Sequence, residues 1–212
     1  MYHSRMRLIL ASASPRRMDL LRDAGYVFDV EPAHVDESEL PGEPPGTYVV
    51  RVASMKARTV AARHPDDAVL AADTTVVVDG AMLTKPADDA DAKRMLGLLS
   101  GRTHDVLTGV VLVRAGRASS AVVDTRVRFR PLEAGEIDWY VASGEPRDKA
   151  GAYGVQGLAA RFVESVEGSY SNVVGLPVEA VRPLLEAEGL PPHDAARARG
   201  WTEAAPFDRT GG

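Results

Sequence analysis

The chain has 212 residues, 45% hydrophobic and 26% charged, enough to bury the core of one large domain or two small ones. It contains no cysteine, which excludes disulfides, Cys-ligated zinc and thiol catalysis and fits a reducing compartment. A formal net charge of −5 argues against a general nucleic-acid binder and confines any anion site to a local gathering of basic groups.

Residues 1–6 are polar and lack an apolar signal core, and no stretch approaches about 18 apolar residues, so no membrane span is expected and the protein is read as cytoplasmic. Residues 7–11 read as a buried strand, and 15–24 as a helix closed by Gly25, with Met18, Leu20 and Leu21 on its inner side. Between them stand Ser12, Ala13 and Ser14, then Pro15 and the pair Arg16-Arg17. One reading is a plain strand–helix turn, with Ser14 as N-cap, Pro15 at the first helical position and solvated arginines. Cations at a helix N-terminus, however, oppose the macrodipole by about 0.3–1 kcal/mol each. An anion bound there reverses the sign, and free N–H groups, a hydroxyl and two guanidiniums suit a phosphate chain. The chain has no Walker or dinucleotide glycine motif.

Tyr26–Glu31 reads as a second strand, and the acidic, Pro/Gly-rich 34–46 as a loop. A helix over 46–63 follows, its apolar stripe carried by Tyr48, Val49, Val52, Ala53 and Met55. Asp36-Glu37 and Lys56 are ordinary surface charges by themselves. Joined to a buried aspartate, Glu37 can complete an oxygen site for Mg²⁺.

That aspartate is Asp73, inside the apolar run 67–78, which turns at Asp79-Gly80 into a tight hairpin. A buried carboxylate must be protonated, paired or metal-bound; the alternative is a strand-end aspartate capping a turn. Thr74 follows it, and Lys85-Pro86 lies just past the hairpin, placed to meet Asp73 if the chain folds back. Residues 88–101 form a helix with an acidic start and a glycine stop. Strands at 103–114 and 118–129 join around Ala115-Gly116, and a helix covers 133–142. Residues 144–157 read as a polar glycine-rich loop. Gly151, Gly154 and Gly157 suggest either plain flexibility or close approach to a ligand, and Tyr153 and Gln156 are base-binding types. A strand over 160–166, a helix over 177–188 and a loose tail from Leu190, pinned locally by Trp201 and Phe207, complete an α/β chain with a bent mixed sheet.

Four segments together resemble the Maf family: Ser-x-Ser-Pro-Arg-Arg (12–17), Ala-Asp-Thr (72–74) with Lys85-Pro86, LSGRTHDVLTGV (99–110), and DKAGAYGVQG with GSYSNVVGLP (within 148–177). Each motif is weak alone; their order and spacing over about residues 7–189 make the combination specific. The resemblance implies an elongated α/β fold with flanking helices and two lobes around a cleft, of the kind shared with ITPases. It further implies a divalent cation (Mg²⁺ or Mn²⁺), a homodimer and nucleoside triphosphate pyrophosphatase activity, earlier linked to inhibition of septum formation. By position, Asp73 matches the proton acceptor, with Arg16, Thr74 and Gln156 at the positions associated with substrate choice. Ser12, Arg17, Lys56 and Lys85 match the rest of the pocket, as does Glu37, which joins Asp73 at the metal. The Asp-Thr and Ala-Tyr-Gly-x-Gln-Gly patterns look like the subgroup acting on dTTP and UTP, not on 7-methyl-GTP. Ala159-Ala160 departs from the family pattern, where a further glycine is expected, and the tail 190–212 has no counterpart.

The expected reaction is therefore hydrolysis between the α and β phosphorus atoms, with Asp73 taking a proton from water or fixing the metal beside it. A nucleotide-sensing regulator of division that only binds, or a nucleotidyltransferase, would use a similar pocket.

Overall fold

The computed structural model describes residues 6–193. β1 (Leu8–Leu10) is a short, wholly apolar strand between two parallel neighbours, β2 (Asp29–Val30) and β3 (Ala68–Val78). Such double-sided burial explains why its sequence does not alternate. α1 (Pro15–Asp23) follows β1, and α2 (Pro45–Ala61) precedes β3. The Asp79-Gly80 turn has positive φ at both residues and registers Val78 against Ala81, so β3 runs directly back into antiparallel β4 (Ala81–Leu83). α3 (Asp89–Leu99) is capped by the Asp88 carboxylate, which accepts from the Asp91 N–H. β5 (Thr103–Arg114) and β6 (Arg117–Phe129) are joined by a turn with positive φ at Ala115 and Gly116. α4 (Ala134–Ala142), β7 (Val163–Glu167), the single-turn α5 (Tyr170–Val174) and α6 (Val178–Ala187) complete the order. β7 is antiparallel to β6, and the seven-stranded mixed sheet runs β2-β1-β3-β5-β6-β7 with β4 on β3.

Two differences from expectation are physical. Residues 144–162 hold three 3₁₀ turns, Glu145–Asp148, Ala150–Ala152 and Leu158–Phe162, so the strand expected from 160 begins only at Val163. α5 was hidden by its length, since five residues are too few to show a helical period. Of the tail, residues 190–193 are described. Leu190 and His193 donate backbone bonds to the Leu185 and Gly25 carbonyls, and Trp201 and Phe207 lie outside the described residues.

The chain divides into two units. Among the described residues, the first gathers 6–73, Thr108–Val123 and 175–193; the second gathers Thr74–Leu107 and Asp124–Val174. In the first, α2 lies on β1, β3 and β5 through Ala53, Ala57 and Val60 against Ile9, Ala11, Val69, Ala71, Val111 and Val113. Small residues bring the helix close. Closest is Gly109, where a Cβ would stand 2.7–2.9 Å from the Val49 and Val50 backbone. The core of the second unit is aromatic: Phe129 meets His104, Tyr153 and Phe162 edge-on, and Phe162 meets Tyr140. No helix among the described residues is long and apolar enough to cross a membrane.

Candidate active site

Three elements of the first unit converge on one ammonium. The β3 run is apolar because it is buried, and Asp73 sits in it with only 9% of its side chain exposed. Lys56, from the buried face of α2, places Nζ 2.7 Å from Asp73 Oδ1 and 2.7 Å from Glu37 Oε1. Burial pushes the Asp73 carboxyl above the ordinary carboxylate range, Lys56 and Arg17 pull it back, and Glu37 pushes it up again. A carboxylate so placed is poised to accept a proton.

The loop bearing Glu37 is held by the same helix. Tyr48 Oη donates to the Glu37 carbonyl (2.9 Å), and burial beside Asp73 and Glu37 raises its pKa. Arg51 donates to both oxygens of Glu43 (2.6 and 2.7 Å) and to the Ser38 carbonyl (2.9 Å). Sequence reasoning missed Tyr48 and Arg51 in these roles. Tyr48 looked like core, and an arginine on a helix next to an acidic loop gives no signal of which carboxylate it grips.

At the start of α1, Ser14 occupies the N-cap position and Pro15 the first helical one, as expected, but Ser14 makes no side-chain cap bond. Instead the Ser14 N–H donates to Ser12 Oγ (3.2 Å), which also accepts from Arg17 Nη1 (3.3 Å). Arg17 Nε donates to the Gly175 carbonyl (2.8 Å), so this guanidinium is anchored rather than solvated. Burial weakens its hold on its proton, while Asp73 and Glu37 strengthen it. Arg16 is half-buried on the same turn, and the first turn of α1 carries no acidic residue of its own. The structure thus unites Ser12, Arg17, Glu37, Lys56 and Asp73 in one unit.

Thr74, Lys85 and Gln156 belong to the second unit. Thr74 is half-buried on β3, Lys85 is exposed just past β4, and the ammonium hydrogen-bonded to Asp73 is that of Lys56. Gln156 is exposed in a turn closed by the Gly157 N–H on the Gly154 carbonyl (3.0 Å). Tyr153 is corrected: it is a core residue, 6% exposed, its hydroxyl 2.9 Å from His104 Nε2, and no ring is offered to a ligand. The glycines are corrected too. A Cβ at Gly151 would strike Val76, at Gly154 Lys149 and at Gly157 Glu145, so the close approaches are to the protein's own side chains.

The donor set suits a hard cation. Lys56 takes one oxygen of each of Glu37 and Asp73, and each carboxylate has a second oxygen. No group of three or more His, Cys, Asp or Glu among the described residues is arranged to hold a metal ion. Two carboxylates completed by substrate phosphates form the usual Mg²⁺ arrangement.

Comparison with known proteins gives a family match over residues 7–188, described as "Maf-like protein". The chain is 56% identical over 195 residues to a dTTP/UTP pyrophosphatase of Anaeromyxobacter sp. (strain Fw109-5), covering 89% of this chain and 93% of that one. It is 53% identical over 185 residues to a dTTP/UTP pyrophosphatase of Symbiobacterium thermophilum, covering 87% and 95%. Among solved structures, the Staphylococcus aureus Ham1 protein shares the fold at a TM-score of 0.51 and 13% identity, covering 85% of this chain and 98% of that one.

Proposed function

The chain belongs to the Maf-like family, and on that premise we propose that it hydrolyses dTTP and UTP to the nucleoside monophosphate and pyrophosphate. The observation that carries the mechanism is the buried Asp73 carboxylate, raised by burial and bridged through Lys56 to Glu37.

Water attacks the α-phosphorus, the bond from that phosphorus to the bridging oxygen breaks, and pyrophosphate leaves whole. Asp73 accepts the proton of the attacking water, and its raised proton affinity suits that task near neutral pH. Ser12, Arg16, Arg17, Lys56 and Lys85 bind phosphate oxygens and stabilise the charge that develops on them, helped by the N–H groups at the start of α1. A divalent cation, Mg²⁺ or Mn²⁺, would be held by Glu37 and Asp73, and when bound it supplies charge neutralisation and a more acidic water. Arg16, Thr74 and Gln156 set substrate choice. Thymine and uracil both present an acceptor at O4 beside a donor at N3, which one primary amide can match.

The test is phosphorus NMR of products from a panel of nucleoside triphosphates with Mg²⁺ and with Mn²⁺. The expected products are pyrophosphate and monophosphate, with dTTP and UTP ahead of CTP and GTP. Orthophosphate with a diphosphate product would mean a γ-phosphatase. Absence of turnover would mean a binding protein, and a requirement for a second substrate with reversal by pyrophosphate would mean a nucleotidyltransferase.

A further inference from the structure

We propose that Glu145 is the positioning residue for Gln156, a device that rests on the reading of Gln156 as the group that recognises the base. The inference comes from how one carboxylate ties both ends of the turn that presents the amide.

The turn Gly154–Gly157 is part of the five-residue stretch Gly154-Val155-Gln156-Gly157-Leu158. At its far end the Leu158 N–H donates to Glu145 Oε2 (2.9 Å). At its near end the Gly154 N–H donates to Tyr140 Oη (3.2 Å), and Tyr140 Oη donates in turn to Glu145 Oε1 (2.9 Å). Both oxygens are therefore engaged, one directly and one through the phenol, and Gln156 lies between the two tethered amides. Gly157 packs so closely on this carboxylate that a Cβ there would overlap it. Glu145 is itself fixed: its N–H donates to Ser143 Oγ (3.2 Å), and its carbonyl accepts from Lys149 Nζ (2.5 Å). Tyr140 is fully buried and packs edge-on against Phe162, so the near tether is anchored in the core.

The amide of Gln156 makes no side-chain hydrogen bond of its own among the described residues. An amide that rotates freely matches cytosine as well as thymine, because its oxygen and nitrogen can exchange places. Selectivity then requires the backbone to hold the side chain where the base can meet the amide in one orientation only, and that backbone is held by Glu145. An acceptor pair bracketing a turn restrains it more than either bond alone.

Glu145→Gln preserves shape but replaces one acceptor oxygen with a donor, and Tyr140→Phe removes only the near tether. In the full-length protein, Glu145→Gln should lower the dTTP:CTP ratio of kcat/KM by about tenfold, toward the value of Gln156→Ala, with a smaller change in kcat for dTTP. Tyr140→Phe should move the ratio the same way by less. The double variant Glu145→Gln/Gln156→Ala should show the ratio of Gln156→Ala alone, a non-additivity that a general loss of stability does not produce. Glu145→Asp should recover part of the preference. Hydrogen exchange should show faster exchange at the Gly154 and Leu158 amides in Glu145→Gln. If Gln156→Ala collapses the ratio and Glu145→Gln leaves it intact, Glu145 does not position the amide. If Gln156→Ala leaves the ratio unchanged, the base-reading premise falls and the proposal with it.

Discussion

Lys56→Met keeps most of the apolar stem and removes the ammonium that bridges Asp73 and Glu37 at 2.7 Å. Unit charges about 4 Å apart at an effective dielectric of about 20 interact by about 4 kcal/mol. Arg17 remains beside Asp73, and Glu37, with 34% of its side chain exposed, regains water, so the net loss at pH 7 should be about 2–3 kcal/mol. For a chain of this size that lowers Tm by about 4–12 °C. The pH dependence identifies the cause. Folding already raises the Asp73 carboxyl above its ordinary 3.8, mainly through burial, and removing Lys56 raises it further. A group raised on folding contributes stability below its unfolded pKa and loses it as pH rises through the folded one. The Tm difference between wild type and Lys56→Met should therefore be small near pH 4 and widen toward pH 8. The acidic limb of the kcat profile should move to higher pH in the variant. Calorimetric scans from pH 4 to 8 measure the first effect and steady-state dTTP hydrolysis the second. A Tm difference independent of pH, or an acidic limb that stays in place, would refute the assignment of Lys56 as the countercharge of Asp73.

Asp73→Asn should fold normally and lose roughly 10²-fold or more in kcat, the usual effect of removing a positioned base; near-normal turnover would take Asp73 out of the mechanism. Gly109→Ala should destabilise by about 1–3 kcal/mol in denaturant titrations, because the added Cβ meets α2 backbone, which cannot rotate away. It should also lower kcat, because α2 carries Lys56; unchanged stability would mean the helix shifts without cost. His104 is held neutral: burial lowers its pKa from 6.5 to about 4, against a small opposing effect of the Arg102 backbone. Stability from this group is complete above about pH 6.5 and lost as pH falls through about 4, amounting to about 3 kcal/mol. NMR should show the His104 ring titrating near 4, and a midpoint near 6.5 would contradict its burial.

What was legible in the sequence follows from what energy forbids. A carboxylate inside VLAADTTVVV had to find a partner, so Asp73 stood out without a structure. The two turns showed as Asp79-Gly80 and Ala115-Gly116 because glycine, unlike residues with a Cβ, takes up positive φ at no steric cost, as Gly80 and Gly116 do here. Partner identity was not legible. The sequence pointed to Lys85, just past the hairpin, as the ammonium to meet Asp73, whereas Lys56 makes that bond, since long-range pairing is set by the packing of helix on sheet. The loop 144–157 misled for a related reason: glycine reports that something comes close, but not what. Here it is Val76, Lys149 and Glu145. Tyr153 misled because a ring in a polar loop is indistinguishable from a core ring until its neighbours are known. Gly109, inside an apolar strand, gave no sign that a helix backbone rests on it.

Tyr48, Arg51 and Lys56 grip the acidic loop from one helix, which makes their mutual phase a constraint on how the gene can change length. Each residue of an α-helix advances about 100° around its axis. One residue inserted between Arg51 and Lys56 would carry the ammonium about 100° away from Asp73 while leaving Tyr48 and Arg51 in place. It would also turn Ala57 and Val60 out of the core and polar neighbours into it. The loop before the helix has no such periodicity, and additions between Glu39 and Glu43 need only preserve the three points where Tyr48 and Arg51 take hold, the Glu37 and Ser38 carbonyls and the Glu43 carboxylate. Length variation across related chains should therefore gather in the loop and be absent from the middle of α2.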